Sequence, residues 1–155
     1  DANFLITLKS KFFSFILMLL FLSVVLNACK TYLIPVQSFK EQFNGIDSTK
    51  LRLVKTRGPA GDVAEYLANP IEYIKCVDKS DMPLELKNSP SIEIRFTEKN
   101  NKRTIFYFDR LFVQDTLIIG EMSRFIRFRK GISINNVILI EVQDGHKNFK
   151  YVEDR

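Results

Sequence analysis

The side chains best placed to do chemistry lie in Arg124-Phe125-Ile126-Arg127-Phe128-Arg129-Lys130. Read as a strand, successive side chains point to opposite faces. Ile126 and Phe128 then share one face, and Arg127 and Arg129 the other, with Phe125 on the arginine side. Guanidinium groups with an aromatic ring between them can grip phosphate or carboxylate and stack on rings. Arg124, Phe125, Arg127, Arg129 and Lys130 are therefore the candidate contacts for an anionic ligand or partner. Charge on a strand also discourages edge-to-edge pairing, so a solvated or guarded edge is the competing reading of the same residues.

The other reactive groups are sparse. His146 is the only histidine and follows the Asp144-Gly145 turn, an expected exposed position. One histidine excludes a multi-histidine metal site, and its place on a turn argues against a Ser-His-Asp triad. A Ser-Lys or two-carboxylate mechanism stays formally open. The candidate acids Asp109, Asp115, Glu121, Glu141 and Asp144 fall on separate strands or turns. Nothing in their spacing holds two of them at the ~5–10 Å that a carboxylate pair needs. Gly58-Pro59-Ala60-Gly61 lacks the Gly-Lys-Ser/Thr ending of a phosphate loop and reads as a turn. Cys76, inside Glu72-Tyr73-Ile74-Lys75-Cys76-Val77, reads as a small buried hydrophobe. The expectation is a protein that is not an enzyme, with no catalytic residue, no cofactor and no metal.

Cys29 has a different chemistry. It ends Leu26-Asn27-Ala28-Cys29, after Lys9-Ser10-Lys11 and a 15-residue apolar run interrupted only by Ser14 and Ser23. A membrane span needs ~20 apolar residues. A shorter run behind a basic start, with small residues at a cutting point, fits a secretory signal. The four residues resemble the lipobox of bacterial lipoproteins. That resemblance implies cleavage before Cys29 and a thioether-linked diacylglycerol on its sulfur, with further acyl chains such as palmitate. It covers residues 9–29 and implies an address and an anchor, not an activity. Because Lys30 rather than an aspartate follows, it also implies the outer membrane, with the domain facing either the periplasm or the outside. An uncleaved anchor helix is the alternative.

The chain of 155 residues has a net charge of +5, and removing residues 1–28 leaves about +4. On an exported chain such a balance suits lipid headgroups or acidic glycans and argues against nucleic acid. The expected partners are the membrane, through Cys29, and an envelope protein or an anionic glycan or lipid.

Stepping along the chain gives the elements that must position these groups. Residues 31–35 read as a tether. Ser38 and Glu41 fit a capping box, opening one short helix whose Val36, Phe39, Phe43 and Ile46 form an apolar stripe before Asn44-Gly45. From Leu51 the texture is that of strands: 51–55, 71–77, 84–86, 91–98, 103–108, 111–113, 116–119, 123–129 and 137–142. Ile92, Ile94 and Phe96 alternate cleanly with Glu93, Arg95 and Thr97. Asp144-Gly145 fits a type I′ turn that would pair Ile138, Ile140 and Val142 with Phe149 and Tyr151. The predicted fold is mainly β: an antiparallel meander, sandwich or small SH3-like or Sm-like barrel, with one short helix after the signal helix. The predicted organisation is 1–28 signal peptide, 29–48 lipid-anchored tether and helix, and 49–155 β-rich domain. Three roles fit it. The favoured one is a lipid-anchored envelope module that binds or scaffolds. The others are a small envelope hydrolase or inhibitor-like module, and a structural subunit that pairs through a strand edge.

Overall fold

Alternation in Ile92-Glu93-Ile94-Arg95-Phe96 sets the core. Ile92, Ile94 and Phe96 are buried, and the residues between them are partly exposed. The computed structural model describes residues 30–124, 126 and 128–152. The expected signal segment and Cys29 lie outside them.

The described residues form twelve strands and one α-helix. They are β1 (Thr31–Leu33), helix α1 (Val36–Gln42), β2 (Arg52–Arg57), β3 (Val63–Ala68), β4 (Tyr73–Val77), β5 (Pro83–Lys87), β6 (Ile92–Glu98), β7 (Arg103–Tyr107), β8 (Phe112–Gln114), β9 (Leu117–Glu121), β10 (Arg129–Ser133), β11 (Val137–Asp144) and β12 (Lys150–Tyr151). Every pairing is antiparallel. A six-stranded sheet runs β5-β4-β1-β11-β6-β7, and two three-stranded sheets run β10-β9-β8 and β12-β2-β3. The fold is mainly β with one helix, as the alternation predicts, and no sheet closes into a barrel.

The stretch expected as a tether is a strand. β1 lies inside the large sheet, with Thr31, Tyr32 and Leu33 opposite Gln143, Val142 and Glu141 of β11. On its other side only Leu33 meets β4, at Val77. Most of β4 therefore lacks a strand on that side. The Gln42 amide takes over there, donating from Nε2 to Lys75 O (2.9 Å) and accepting from Lys75 N at Oε1 (2.8 Å).

The helix stripe is core, as its spacing predicts. Phe39 stacks on Phe43 at 4.5 Å and meets the edge of Phe96 at 5.3 Å, while Phe43 meets Phe108 at 5.6 Å. The expected capping box is absent. Pro35, whose ring fixes φ and which has no N–H to satisfy, starts the helix three residues before Ser38. Ser38 then sits inside the helix and accepts from Gln42 Nε2, and Glu41 accepts from Gln37 Nε2.

Three further expectations change. Residues 63–68, not read as a strand, form β3 and pair with β2 along all six residues. Of the expected strand 123–129, the described residues Ser123, Arg124, Ile126 and Phe128 are not in a strand, and β10 opens only at Arg129. The terminal hairpin does not form. β11 runs on to Asp144, opposite Ile92. Gly145 N donates to Ser91 O (3.0 Å), and a Cβ there would sit 3.1 Å from that oxygen. The glycine serves this close approach. The left-handed residues are His146 and Asn148. The chain then leaves β11 and forms β12 against β2, pairing Lys150 with Arg57 and Tyr151 with Thr56.

Phe39 is fully buried between sheet and helix. Phe39→Ala is expected to cost ~3–5 kcal/mol, read as a lower urea midpoint, while Lys40→Ala on the exposed side stays within ~0.5 kcal/mol.

Candidate functional site

β7 ends at Tyr107, and the chain makes a short 3-10 turn through Phe108, Asp109 and Arg110. Phe108 and Leu111 both enter the core, fully buried. That leaves Asp109 and Arg110 facing the two small sheets, and both are buried as well. A buried charge is tolerated when it is paired and hydrogen-bonded, and the surrounding strands supply the partners.

Asp109 Oδ2 accepts from the Tyr66 hydroxyl on β3 and from the Tyr151 hydroxyl on β12 (3.0 Å). The Asp109 carbonyl accepts from Asn69 N (2.7 Å), while Asn69 Nδ2 donates to Phe108 O (2.7 Å) and Leu111 O (3.2 Å). Burial pushes the Asp109 carboxyl above the usual carboxylate range, against the pull of the Tyr66 hydroxyl and the Arg110 charge. Burial and the Asp109 charge raise both tyrosine hydroxyls well above the ordinary phenol range.

Arg110 Nη1 donates to Glu121 Oε2 at 2.7 Å, and Arg129 Nε lies 3.6 Å from Glu121 Oε1. The Arg110 guanidinium carbon is 3.8 Å from the centre of the Tyr66 ring and 5.7 Å from that of Tyr107. The Arg124 guanidinium carbon lies 3.8 Å from the centre of the Tyr107 ring and 4.2 Å from that of Phe149. Ring and cation thus alternate in the series Tyr66, Arg110, Tyr107, Arg124, Phe149. Lys147 closes the margin, paired with Glu93 and 5.5 Å from the centre of the Tyr107 ring. Burial alone would raise Glu93, but hydrogen bonds from Lys147 and Gln143 outweigh it and hold the carboxyl low. Glu93 in turn raises Lys147.

This geometry redistributes the basic stretch. Arg124 turns inward and stacks. Arg129, half exposed, reaches back to Glu121, and Lys130 Nζ donates to Thr104 Oγ1 at 3.1 Å. Phe125 and Arg127 lie outside the described residues. Ile126 and Phe128, expected to share one strand face, are 70% and 59% exposed. The described cations of this stretch do not form a row facing solvent, because Glu121 and two aromatic rings lie behind them. Sequence reading missed the aromatic partners: Tyr66 belongs to the strand it overlooked, and Phe149 was assigned to a hairpin.

Of the candidate acids, the structure brings Asp109 and Glu121 to either side of Arg110, both buried. Glu141 lies 3.4 Å from Arg95, and Asp144 lies 3.6 Å from His146. Asp115 lines an open cleft of about 640 Å³ beside the C-terminal end of α1, together with Lys40, Asp47 and Ser48. Asp47 there accepts from Thr49 N and Oγ1. Lys40 and Ser48 are exposed, and no hydrogen bond joins them among the described residues. Among the described residues no group of three or more metal-ligating side chains comes together, and no helix is long and apolar enough to cross a membrane. Cys76 is buried, and burial raises its thiol to about 11, far from the reactive thiolate range.

Asp109→Asn retains an acceptor for the two tyrosine hydroxyls but cannot ionise. The native carboxyl titrates above its unfolded value, so its stabilising contribution is complete below about pH 4 and is lost as pH rises through the native value. Urea melts across pH 4–8 should show wild type losing stability relative to Asp109→Asn as pH rises. No family model matches this chain, and neither does any curated protein or solved structure.

Proposed function

We propose that this chain is a lipid-anchored module of a bacterial envelope that binds or scaffolds a partner at the membrane, held there by acyl chains on Cys29. The observation that carries the reading is the junction between anchor signal and fold. Leu26-Asn27-Ala28-Cys29 is followed by Lys30 alone before β1 enters the large sheet at Thr31. Cleavage before Cys29 would leave a mature chain whose folded part starts almost at once. The outer membrane is the proposed home, on the resemblance of Lys30-following lipoproteins.

A binding role rather than catalysis is supported by where the charges go. Asp109 is buried and accepts from the Tyr66 and Tyr151 hydroxyls, and Arg110 is buried against Glu121, contacts that join strands of the fold. Among the described residues Asp109 Oδ1 and Arg110 Nε have no hydrogen-bond partner. Among the described residues of the Arg124–Lys130 stretch, Ile126 and Phe128 are exposed apolar side chains, next to the exposed Arg129. An apolar patch beside cations suits an envelope protein or a lipid surface. Anionic glycan or lipid remains within the proposal through Arg129 and Lys130 at its border.

A second reading rests on β3. Among the described residues this six-residue strand pairs only with β2, and Val63 and Leu67 on it are exposed. Such an edge can accept a strand from a neighbour, as in a structural subunit.

Cys29→Ser should abolish labelling by radioactive palmitate and move the protein from the membrane to the soluble fraction. Mass spectrometry of wild type should show a chain starting at an acylated Cys29, and an intact leader with a bare thiol would overturn the anchor. In crosslinking and affinity capture of the native protein, Ile126→Asp with Phe128→Asp should lose the captured component. Val63→Lys with Leu67→Lys should retain it, and the reverse result would favour strand pairing through β3.

A further inference from the structure

The strand that would follow the acylated cysteine identifies one end of the large sheet. Register places Thr31 opposite Gln143, Gln143 opposite Glu93, and Glu93 opposite Tyr107. Leu33 lies opposite Val77, so the β4–β5 turn, residues 78–82, stands at this same end on the other side of β1. Strands lie ~4.8 Å apart, which puts Tyr107 about 14 Å from Thr31 along the row.

Both flanks of β1 carry exposed apolar side chains at this end. On one flank Asp78 Oδ1 accepts from Ser80 N (2.7 Å) and Met82 N (3.0 Å), building a turn in which Met82 is 62% exposed. On the other flank Arg124, stacked between Tyr107 and Phe149, fixes the loop between β9 and β10. That loop presents Ile126, the most exposed large apolar side chain among the described residues, together with Phe128. The turn at the opposite end, between β6 and β7, is polar, with Asn100 and Asn101 exposed, while Ile138 and Leu139 at that end of β11 are less exposed than Met82, Ile126 and Phe128.

We infer that this end of the six-stranded sheet lies against the bilayer, with Met82 on one side of the anchor and Ile126 and Phe128 on the other entering the interfacial region. The inference rests on the proposed acylation of Cys29 and adds an orientation to it. One residue separates Cys29 from Thr31, so acyl chains in the membrane hold this end of β1 within a few ångströms of the headgroups. Exposed apolar side chains on both flanks are then brought to a surface that can bury them, and three points of contact fix the tilt of the domain where one would leave it free to swing. Asp78 and the charged pair Lys147–Glu93 stay at the level of the headgroups, where water remains.

The chain contains no tryptophan, so a single introduced one reports its own surroundings. Full-length protein, acylated in cells and purified, is placed in phosphatidylethanolamine–phosphatidylglycerol vesicles containing lipid brominated on the acyl chain. Phe128→Trp and Met82→Trp should emit at shorter wavelength than in detergent-free buffer and be quenched by the bromines, consistent with a depth of ~5–10 Å at the headgroup–acyl boundary. Asn100→Trp at the far end should show neither effect. Vesicle-bound, acylated protein in which positions 128 and 82 are quenched no more than position 100 would overturn the orientation and leave the anchor standing. A protein without acyl chains that stays off the vesicles would overturn both. Two reporters on separate loops keep the test valid should one substitution disturb its own turn.

Discussion

A single buried carboxylate ties the small β12-β2-β3 sheet to the rest of the molecule. Asp109 accepts hydrogen bonds from the Tyr66 and Tyr151 hydroxyls, which stand on the two outer strands of that sheet. Its own main chain, with those of Phe108 and Leu111, is held by Asn69 at the end of β3. Among the described residues, no side chain of this sheet joins the main core cluster, and Tyr66 and Ala68 are the sheet's buried apolar residues. Its position therefore depends on polar contacts that have direction, not on apolar burial, which has none. A hydrogen bond to a buried ionisable group contributes ~1.5–3 kcal/mol, and leaving a donor without a partner there costs a similar amount. The two tyrosines and Asn69 consequently fix both where the sheet sits and how it is turned.

The arginines extend that arrangement outward. A guanidinium is planar and weakly hydrated, so it can lie flat on a ring with little loss of solvation. Arg110 and Arg124 use this property to join residues from β3, β7, the β9–β10 loop and the segment before β12. Each such contact is worth ~0.5–2 kcal/mol, more as water is excluded. Gly120 on β9 shows how close the neighbouring packing is: a Cβ there would lie 2.8 Å from Phe106 Cγ and closer still to Leu111. The basic character of the chain is thus partly internal.

Sequence reading succeeded where side-chain period alone decides the structure. The alternation at residues 92–98, the turn at 99–102 and the phenylalanines of α1 all follow from local spacing, and the structure uses them so. It failed where a long-range partner decides. Val63-Ala64-Glu65-Tyr66-Leu67-Ala68 is a strand because β2 and Asp109 hold it, although three of its six residues are poor strand formers. The stretch from Arg124 to Arg129 alternates like a strand, yet Arg124 stacks on Tyr107, Arg129 reaches back to Glu121, and Phe128 is exposed. Asp144-Gly145 has the composition of a tight turn, but the glycine is required by the nearness of Ser91. None of these partners is a sequence neighbour. The acids and cations were therefore recognisable as types, while their gathering around the 3-10 turn was not.

The placement of β1 has a mechanical side. Its three residues pair with Glu141, Val142 and Gln143 of β11 and at one position with β4. Tension arriving through Lys30 acts along the axis of this strand, so it loads those bonds in shear, all together, and does not peel them one by one. Ile34 N, bonded to Ile140 O at 3.0 Å, adds a further bond to the same set. A pull on Lys30 is thereby passed into the middle of the broadest sheet.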